Sequence, residues 1–270
     1  MRELSGRTVV VTGAAGGLGA ALCRAFGAAG ARVVALDRQQ ADIDALLADL
    51  SARGVATIGT ACDVTDEAQC VAAIQFARQH FGGIDVLVNN AGITHRSALA
   101  STRTEVIRRV MSVNFFGALH CTHAALPDLI ARRGQVVAIS SVAGFAPLIA
   151  RTGYSASKHA LHGFFDSLRS EVEPLGVGVL LVCPSFIQTG IDRNALGGDG
   201  LPARHAQSIV GQRSMPDEIA AKIVHAARRD QRLLLPDRVS RTAWWVSRLA
   251  PGLYARLMAR SLRHELRASR

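Results

Sequence analysis

Thr8-Val9-Val10-Val11-Thr12-Gly13-Ala14-Ala15-Gly16-Gly17-Leu18-Gly19 is the stretch that decides the fold. Its β-branched run has no polar alternation, which reads as a strand buried on both faces. Glycines follow at Gly13, Gly17 and Gly19, and a helical period starts at Leu18. Glycine permits a tight turn and lets the backbone approach phosphates, while a helix N-terminus supplies free amides and positive potential. The spacing is Gly-x-x-x-Gly-x-Gly rather than the better-known Gly-x-Gly-x-x-Gly. Any tight strand-to-helix turn could use such glycines; their place after the first strand favours a dinucleotide-binding turn.

Outward from this turn the same unit repeats. Further strands are predicted at Arg32–Leu36, Ala56–Gly59, Val86–Val88, Val136–Ile139, Val177–Val182 and Leu233–Leu235, after the first at Thr8–Val11. Helices are predicted at Leu18–Ala29, Gln40–Arg53, Asp66–His80, Thr104–Ile130, Tyr154–Glu173 and Pro216–Arg229. Short apolar runs alternating with longer helical periods describe an α/β chain, doubly wound around a mostly parallel seven-stranded sheet. Residues 1–237 then form one catalytic domain, and 238–270 a basic extension. Within the domain, 190–215 is glycine-rich without a period, and it follows a strand's C-terminal end, where open α/β sheets bind ligands. It is expected to be a substrate lid, or else a plain surface loop.

Asp37 ends the second strand. A carboxylate there can accept from adenosine ribose hydroxyls and repels a 2′-phosphate, which favours NAD over NADP. Arg38 follows directly and could offset the repulsion, so NADP stays open.

The formal charge of +10 is concentrated in one place: residues 228–270 hold 11 arginines against Asp230, Asp237 and Glu265. No helix-turn-helix, zinc or base-stacking motif accompanies them, so nucleic acid is not an expected partner. The five cysteines are scattered among apolar residues, with no paired or metal-ligand spacing; buried thiols are expected, and no metal. No leader pattern precedes the first strand, and no apolar run is long enough to span a bilayer. A cytoplasmic protein is expected, with membrane contact at most peripheral.

Tyr154-Ser155-Ala156-Ser157-Lys158 carries the chemistry. The i, i+4 spacing sets Tyr154 and Lys158 on one helical face. A phenol is a poor base at neutral pH unless its phenolate is stabilised; lowering its pKa by about three units takes roughly 4 kcal/mol. Lys158 is one of two lysines, with Lys222, in a chain that otherwise uses arginine. A compact ammonium therefore suits this position.

Together these features resemble the short-chain dehydrogenase/reductase family over nearly the whole chain. The matching residues are Gly13, Gly17 and Gly19; Cys62-Asp63-Val64 after the third strand; Asn89-Asn90-Ala91-Gly92 after the fourth; Asn114; Ser140-Ser141 after the fifth; and Tyr154 with Lys158. The resemblance implies a Rossmann-type fold and roles for these residues. Tyr154 would be the acid/base. Ser141, rather than adjacent Ser140, would hold the substrate oxygen. Lys158 would lower the phenol's pKa and bind the nicotinamide ribose, and Asn114 would hold a water linking Lys158 to solvent. Gly13, Gly17, Leu18 and Gly19 would take the pyrophosphate, and Asp63 and Val64 the adenine. Asn90, Ala91 and Gly92 would line the cleft, with Pro184, Ile187 and Thr189 at the nicotinamide. Ser185 departs from the family, which usually has glycine after that proline. His95, His159 and His162 lie near these motifs and read as structural or surface residues.

The implied reaction is hydride transfer between a secondary alcohol or ketone and the nicotinamide, on a small apolar, lipid- or steroid-like substrate. Two other readings stay open. One is an NADPH-dependent 3-oxoacyl-(carrier protein) reductase, with Arg132 and Arg133 meeting the acidic carrier. The other is a non-catalytic dinucleotide-binding scaffold. The family also implies a homo-oligomer, a tetramer or dimer, built on the fourth and fifth helices. Finally, Trp244, Trp245, Leu249, Leu253, Tyr254, Leu257, Met258 and Leu262 recur at three-to-four-residue spacing among arginines, with Pro251-Gly252 as a break. Such a helix pair fits either an anionic membrane surface or packing on the domain or a second subunit.

Overall fold

The computed structural model describes residues 1–192, 194–203, 209 and 211–268, with Asp192 and 261–268 described by backbone alone. Seven strands form one wholly parallel sheet in the order β3-β2-β1-β4-β5-β6-β7. They are β1 (Thr8–Thr12), β2 (Arg32–Asp37), β3 (Thr57–Ala61), β4 (Val86–Asn89), β5 (Gln135–Ile139), β6 (Gly178–Val182) and β7 (Leu233–Leu234). The order reverses direction between β1 and β4. That switch point opens a crevice at the strands' carboxyl ends, where such sheets take ligands.

Both faces of each central strand are apolar because helices cover both. Val9, Val11, Val33 and Ala35 pack on one face against α1 (Gly17–Ala28), α2 (Gln40–Ala52) and α7 (Pro216–Arg228). Val10, Val34, Leu36, Val136 and Ala138 pack on the other against α3 (Glu67–Phe81), α5 (Gly117–Ala131) and α6 (Thr152–Val172). Phe26 on one side and Phe165 on the other are wholly buried, each a contribution of about 1.5–3 kcal/mol. The five cysteines are free and buried in this framework.

Most predicted boundaries shift by a residue or two, and three differences bear on the site. The third strand runs Thr57–Ala61 and is only half-buried, because it lies at the sheet edge. The fifth helix begins at Thr152, so Tyr154 sits in its first turn. The long fourth helix divides into α4 (Thr104–Met111), a π turn over Ser112–Phe116, and α5. The wider turn contains Asn114, which is buried at 1 % exposure. Such π turns insert a residue into a helix and recur at functional sites.

Of the predicted lid, residues 193, 204–208 and 210 lie outside the described residues. The described part is anchored to the domain at several points, Arg103 N donating to Gly198 O (2.9 Å) among them. Leu196 exchanges backbone hydrogen bonds with Thr94 and Arg96 (2.9 and 2.7 Å), and Ser214 with Phe186 and Gln188 (2.9 and 3.0 Å). Beyond β7, α8 (Arg238–Leu249) and α9 (Pro251–Ala268) fold back onto the domain. Ala243 and Tyr254 pack with Ala146, Val142 and Phe145, and Trp244 meets Phe145 edge-on at 4.8 Å between ring centres.

Candidate active site

One cleft of about 1410 Å³ runs along the carboxyl ends of the strands. Its first wall is the glycine turn. Gly13 has φ +61, and a Cβ there would lie 2.9 Å from Ala91 Cα; at Gly19 a Cβ would lie 2.0 Å from Gly13 O. The turn therefore closes on itself as only glycine allows. It leads into α1, whose N-terminus has no side-chain cap and no acidic residue in its first turn. By contrast, α3 is capped by Asp66 and α8 by Asp237. Uncapped amides facing a cleft suit phosphate oxygens. Thr12 Oγ1 accepts from the amides of Asn90 and Ala91 (3.0 Å each), and Asn90 Nδ2 donates to Thr12 O and Gly13 O (3.0 Å each). This lattice fixes the turn against the loop after β4.

Asp37 stands next along the wall. Its carboxylate accepts from Ala15 N (2.9 Å) and its neighbour Arg38 N (2.7 Å), so an acidic group is locked beside the glycine turn. Gly13, Gly17, Leu18, Gly19, Asp37, Arg38, Asp63, Val64, Asn90, Ala91, Gly92, Pro184, Ile187 and Thr189 all line this one cleft. The cradle, the free amides and the acidic end together fit a dinucleotide.

The chemistry-bearing groups occupy the middle of the cleft. Tyr154 and Lys158 are one turn apart on α6, with the ammonium 5.8 Å from the phenol ring centre. Lys158 is buried and donates to Ile139 O at 2.8 Å, and burial pulls its pKa down from 10.5 to about 8. Ser141 lines the cleft, and its Oγ accepts from Ala143 N at 3.2 Å. Adjacent Ser140 turns its hydroxyl inward, 3.1 Å from His162 Nε2 and 3.5 Å from Lys158 O.

Asn114 is set behind the cleft wall. Its Oδ1 accepts from Ile93 N (2.8 Å), while Nδ2 donates to Ile93 O (3.0 Å) and to Ser157 Oγ (2.9 Å). Ser157 Oγ in turn donates to Tyr154 O at 2.7 Å. Asn114 Oδ1 and Lys158 Nζ lie on the same side of Gly92, 3.3 and 3.7 Å from where its Cβ would be. The π turn thus ties the loop after β4 to the first turns of α6.

The histidines fill structural places. His95 Nε2 accepts the amide of Gly153 (2.9 Å) at the start of α6, and burial lowers its pKa to about 4. His162, also lowered to about 4 by burial, sits between Ser140 and Cys183. His159 is exposed and pairs with Ser155 O.

Two features escape sequence reasoning. Asp237 caps α8 through Ser240 N (2.8 Å) and also accepts from Ser185 N (3.0 Å), joining the C-terminal helices to the loop carrying Pro184, Ile187 and Thr189. Val239, Thr242, Val246, Tyr254, Leu257 and Met258 form part of the cleft wall, so α8 and α9 enclose it. The apolar spacing of the segment signals a packed face without saying against what. Arg132 and Arg133 stand at the far end of the sheet, before β5, where Arg132 pairs with Asp85 at 3.3 Å.

This combination of fold and site defines a nucleotide-dependent oxidoreductase of the Rossmann type. The model of the short chain dehydrogenase family matches residues 7–198. The chain is 40% identical over 265 residues to a dehydrogenase/reductase SDR family member 7B of Bos taurus, covering 95% of this chain and 82% of that protein. It is 37% identical to an SDR family protein 7-like of Anopheles gambiae, over 95% of this chain and 83% of that one. Its fold matches the crystal structure of a short chain dehydrogenase/reductase from Burkholderia phymatum in complex with NAD, with a TM-score of 0.84 and 24% identity, covering 94% and 96% of the two chains. The chain belongs to the short-chain dehydrogenase/reductase family.

Proposed function

We propose that the protein is an NAD-preferring dehydrogenase/reductase that interconverts a secondary alcohol and a ketone on an apolar substrate. The observation that carries this reading is the placement of Ser141, Tyr154 and a buried Lys158 ammonium along one cleft, continuous with the glycine turn and Asp37. Bound nicotinamide supplies the hydride acceptor or donor. The chain's own groups do the rest.

In oxidation, Ser141 Oγ holds the substrate oxygen while the Tyr154 phenolate takes its hydroxyl proton. In reduction, the Tyr154 phenol gives that proton back. The Lys158 ammonium favours the phenolate electrostatically, more strongly for being removed from water. Asn114, acting through Ser157 and Ile93, fixes the α6 turn that carries Tyr154. Gly13, Gly17, Leu18 and Gly19 receive the pyrophosphate, Asp37 with Arg38 the adenosine ribose, and Asp63 and Val64 the adenine. Asn90, Ala91, Gly92, Pro184, Ile187 and Thr189 hold the nicotinamide half. NAD is preferred because a carboxylate fixed by two amides cannot swing away from a 2′-phosphate. The apolar substrate follows from Val142, Leu148, Val246, Leu257 and Met258 along the remaining wall.

The test is turnover of small, fatty and steroid ketones and secondary alcohols with both cofactors. Wild type should turn over apolar members faster, with NAD(H) preferred. Tyr154→Phe should lose about 10²–10⁴ in kcat while keeping its melting temperature and NADH affinity. Unchanged turnover in Tyr154→Phe would overturn the assignment, and an NADPH preference would overturn the role of Asp37.

A further inference from the structure

The C-terminal helices pack against the domain with one face, and among the described residues nothing covers the other. On that outward face Trp245 (61 %), Leu249 (78 %), Leu253 (52 %) and Leu257 (50 %) are exposed, four residues apart along each helix. Exposed apolar side chains gathered on one helix pair mark a surface that meets another apolar phase. Arg241, Arg248, Arg256 and Arg260 are exposed on the same helices, and the sequence from Arg238 to His264 contains no acidic residue. No helix among the described residues is long and apolar enough to cross a membrane.

We propose that the outward face of α8 and α9 docks peripherally on an anionic phospholipid bilayer. The charge decides among occupants. A second copy seated on this face would bring two all-cationic surfaces together. An anionic headgroup layer instead offers acceptors for the arginines, with acyl chains within reach of the tryptophan and leucines between them.

The docked orientation has a consequence at the cleft. Leu257 belongs both to the exposed row and to the cleft wall, beside Met258 and Tyr254. Docking therefore sets the mouth of the cleft against the bilayer, where an apolar substrate can enter without crossing water. This delivery step rests on the apolar-substrate reading above; the docking itself does not.

Co-sedimentation of the full chain with vesicles of phosphatidylcholine, with and without phosphatidylglycerol, separates the two. Wild type should partition to the anionic vesicles at least about tenfold more than to the neutral ones, and rising salt should release it. Trp245→Asp with Leu249→Asp lies outside the cleft wall; it should abolish vesicle binding yet leave turnover of a water-soluble ketone unchanged. Equal sedimentation of wild type and variant, or no sedimentation of wild type with either vesicle, overturns the docking. Sedimentation velocity without lipid supplies the other outcome: a wild-type dimer that this variant splits assigns the face to a second copy and overturns the proposal. Because vesicle binding is read without substrate, a polar substrate would refute the delivery step and leave the docking standing.

Discussion

Replacing Lys158 by methionine tests the electrostatics of the site without reference to any substrate. Methionine keeps most of the stem and removes the ammonium. Lys158 is buried, its Nζ bonds Ile139 O at 2.8 Å, and burial lowers its pKa from 10.5 to about 8. That depression corresponds to about 3 kcal/mol that the folded state spends on holding the charge at neutral pH. Loss of the hydrogen bond to Ile139 O costs the variant about 1–3 kcal/mol in return, so stability at one pH decides nothing. The pH dependence does. Below about 8 both folded and unfolded wild type carry the proton; between about 8 and 10.5 only the unfolded chain does. Unfolding there takes up a proton, so wild-type stability rises with pH through this window. The methionine variant lacks that contribution; titrations away from the site cancel in the comparison, and Tyr154, whose phenolate the ammonium favours, adds to the difference in the same direction. Urea denaturation of both proteins, without cofactor, should show wild type gaining about 2 kcal/mol on the variant between about pH 7 and pH 10. Parallel stability curves would refute the buried-charge argument, and with it the account of how Lys158 acts on Tyr154.

Two further substitutions probe the walls of the cleft. Gly19→Ala places a Cβ 2.0 Å from Gly13 O, so the turn must open; NADH affinity by fluorescence titration should fall by about tenfold or more. Asp237→Asn keeps a good N-cap for α8 but can no longer offer acceptors to both Ser240 N and Ser185 N. Its melting temperature should stay near wild type, while NADH affinity drops by about tenfold through the loosened Pro184–Thr189 loop; an unchanged affinity would show that the link to Ser185 does not position it.

Much of the fold was legible in the sequence because parallel strands are buried on both faces and so read as unbroken apolar runs. Thr8–Thr12, Arg32–Asp37 and Gln135–Ile139 stand out for that reason, while the third strand, predicted at Ala56–Gly59 and running Thr57–Ala61, has less sharply marked ends because an edge strand is only half covered. The glycine turn and the Tyr154–Lys158 spacing are local as well: φ at Gly13 and a one-turn separation on a helix depend on neighbouring residues alone.

Tertiary packing decided the rest. The family resemblance favours Ser141 over Ser140, but what separates their hydroxyls is tertiary: His162, twenty-two residues beyond Ser140 and approaching from α6, takes one hydroxyl inward and leaves the other to the cleft. The π turn at Asn114 leaves no mark on a helical period, since it is held by contacts with Ile93 and Ser157 from other elements. The amphipathic spacing of residues 244–258 declared two faces, but which one meets Ala146 and Phe145 and which stays open follows from where β7 ends and from Asp237 gripping Ser185. Periodicity and turn chemistry act over a few residues, so the sequence states them outright. The assignment of a side chain to cleft, core or surface is a property of residues brought together from across the chain, and only the folded structure contains it.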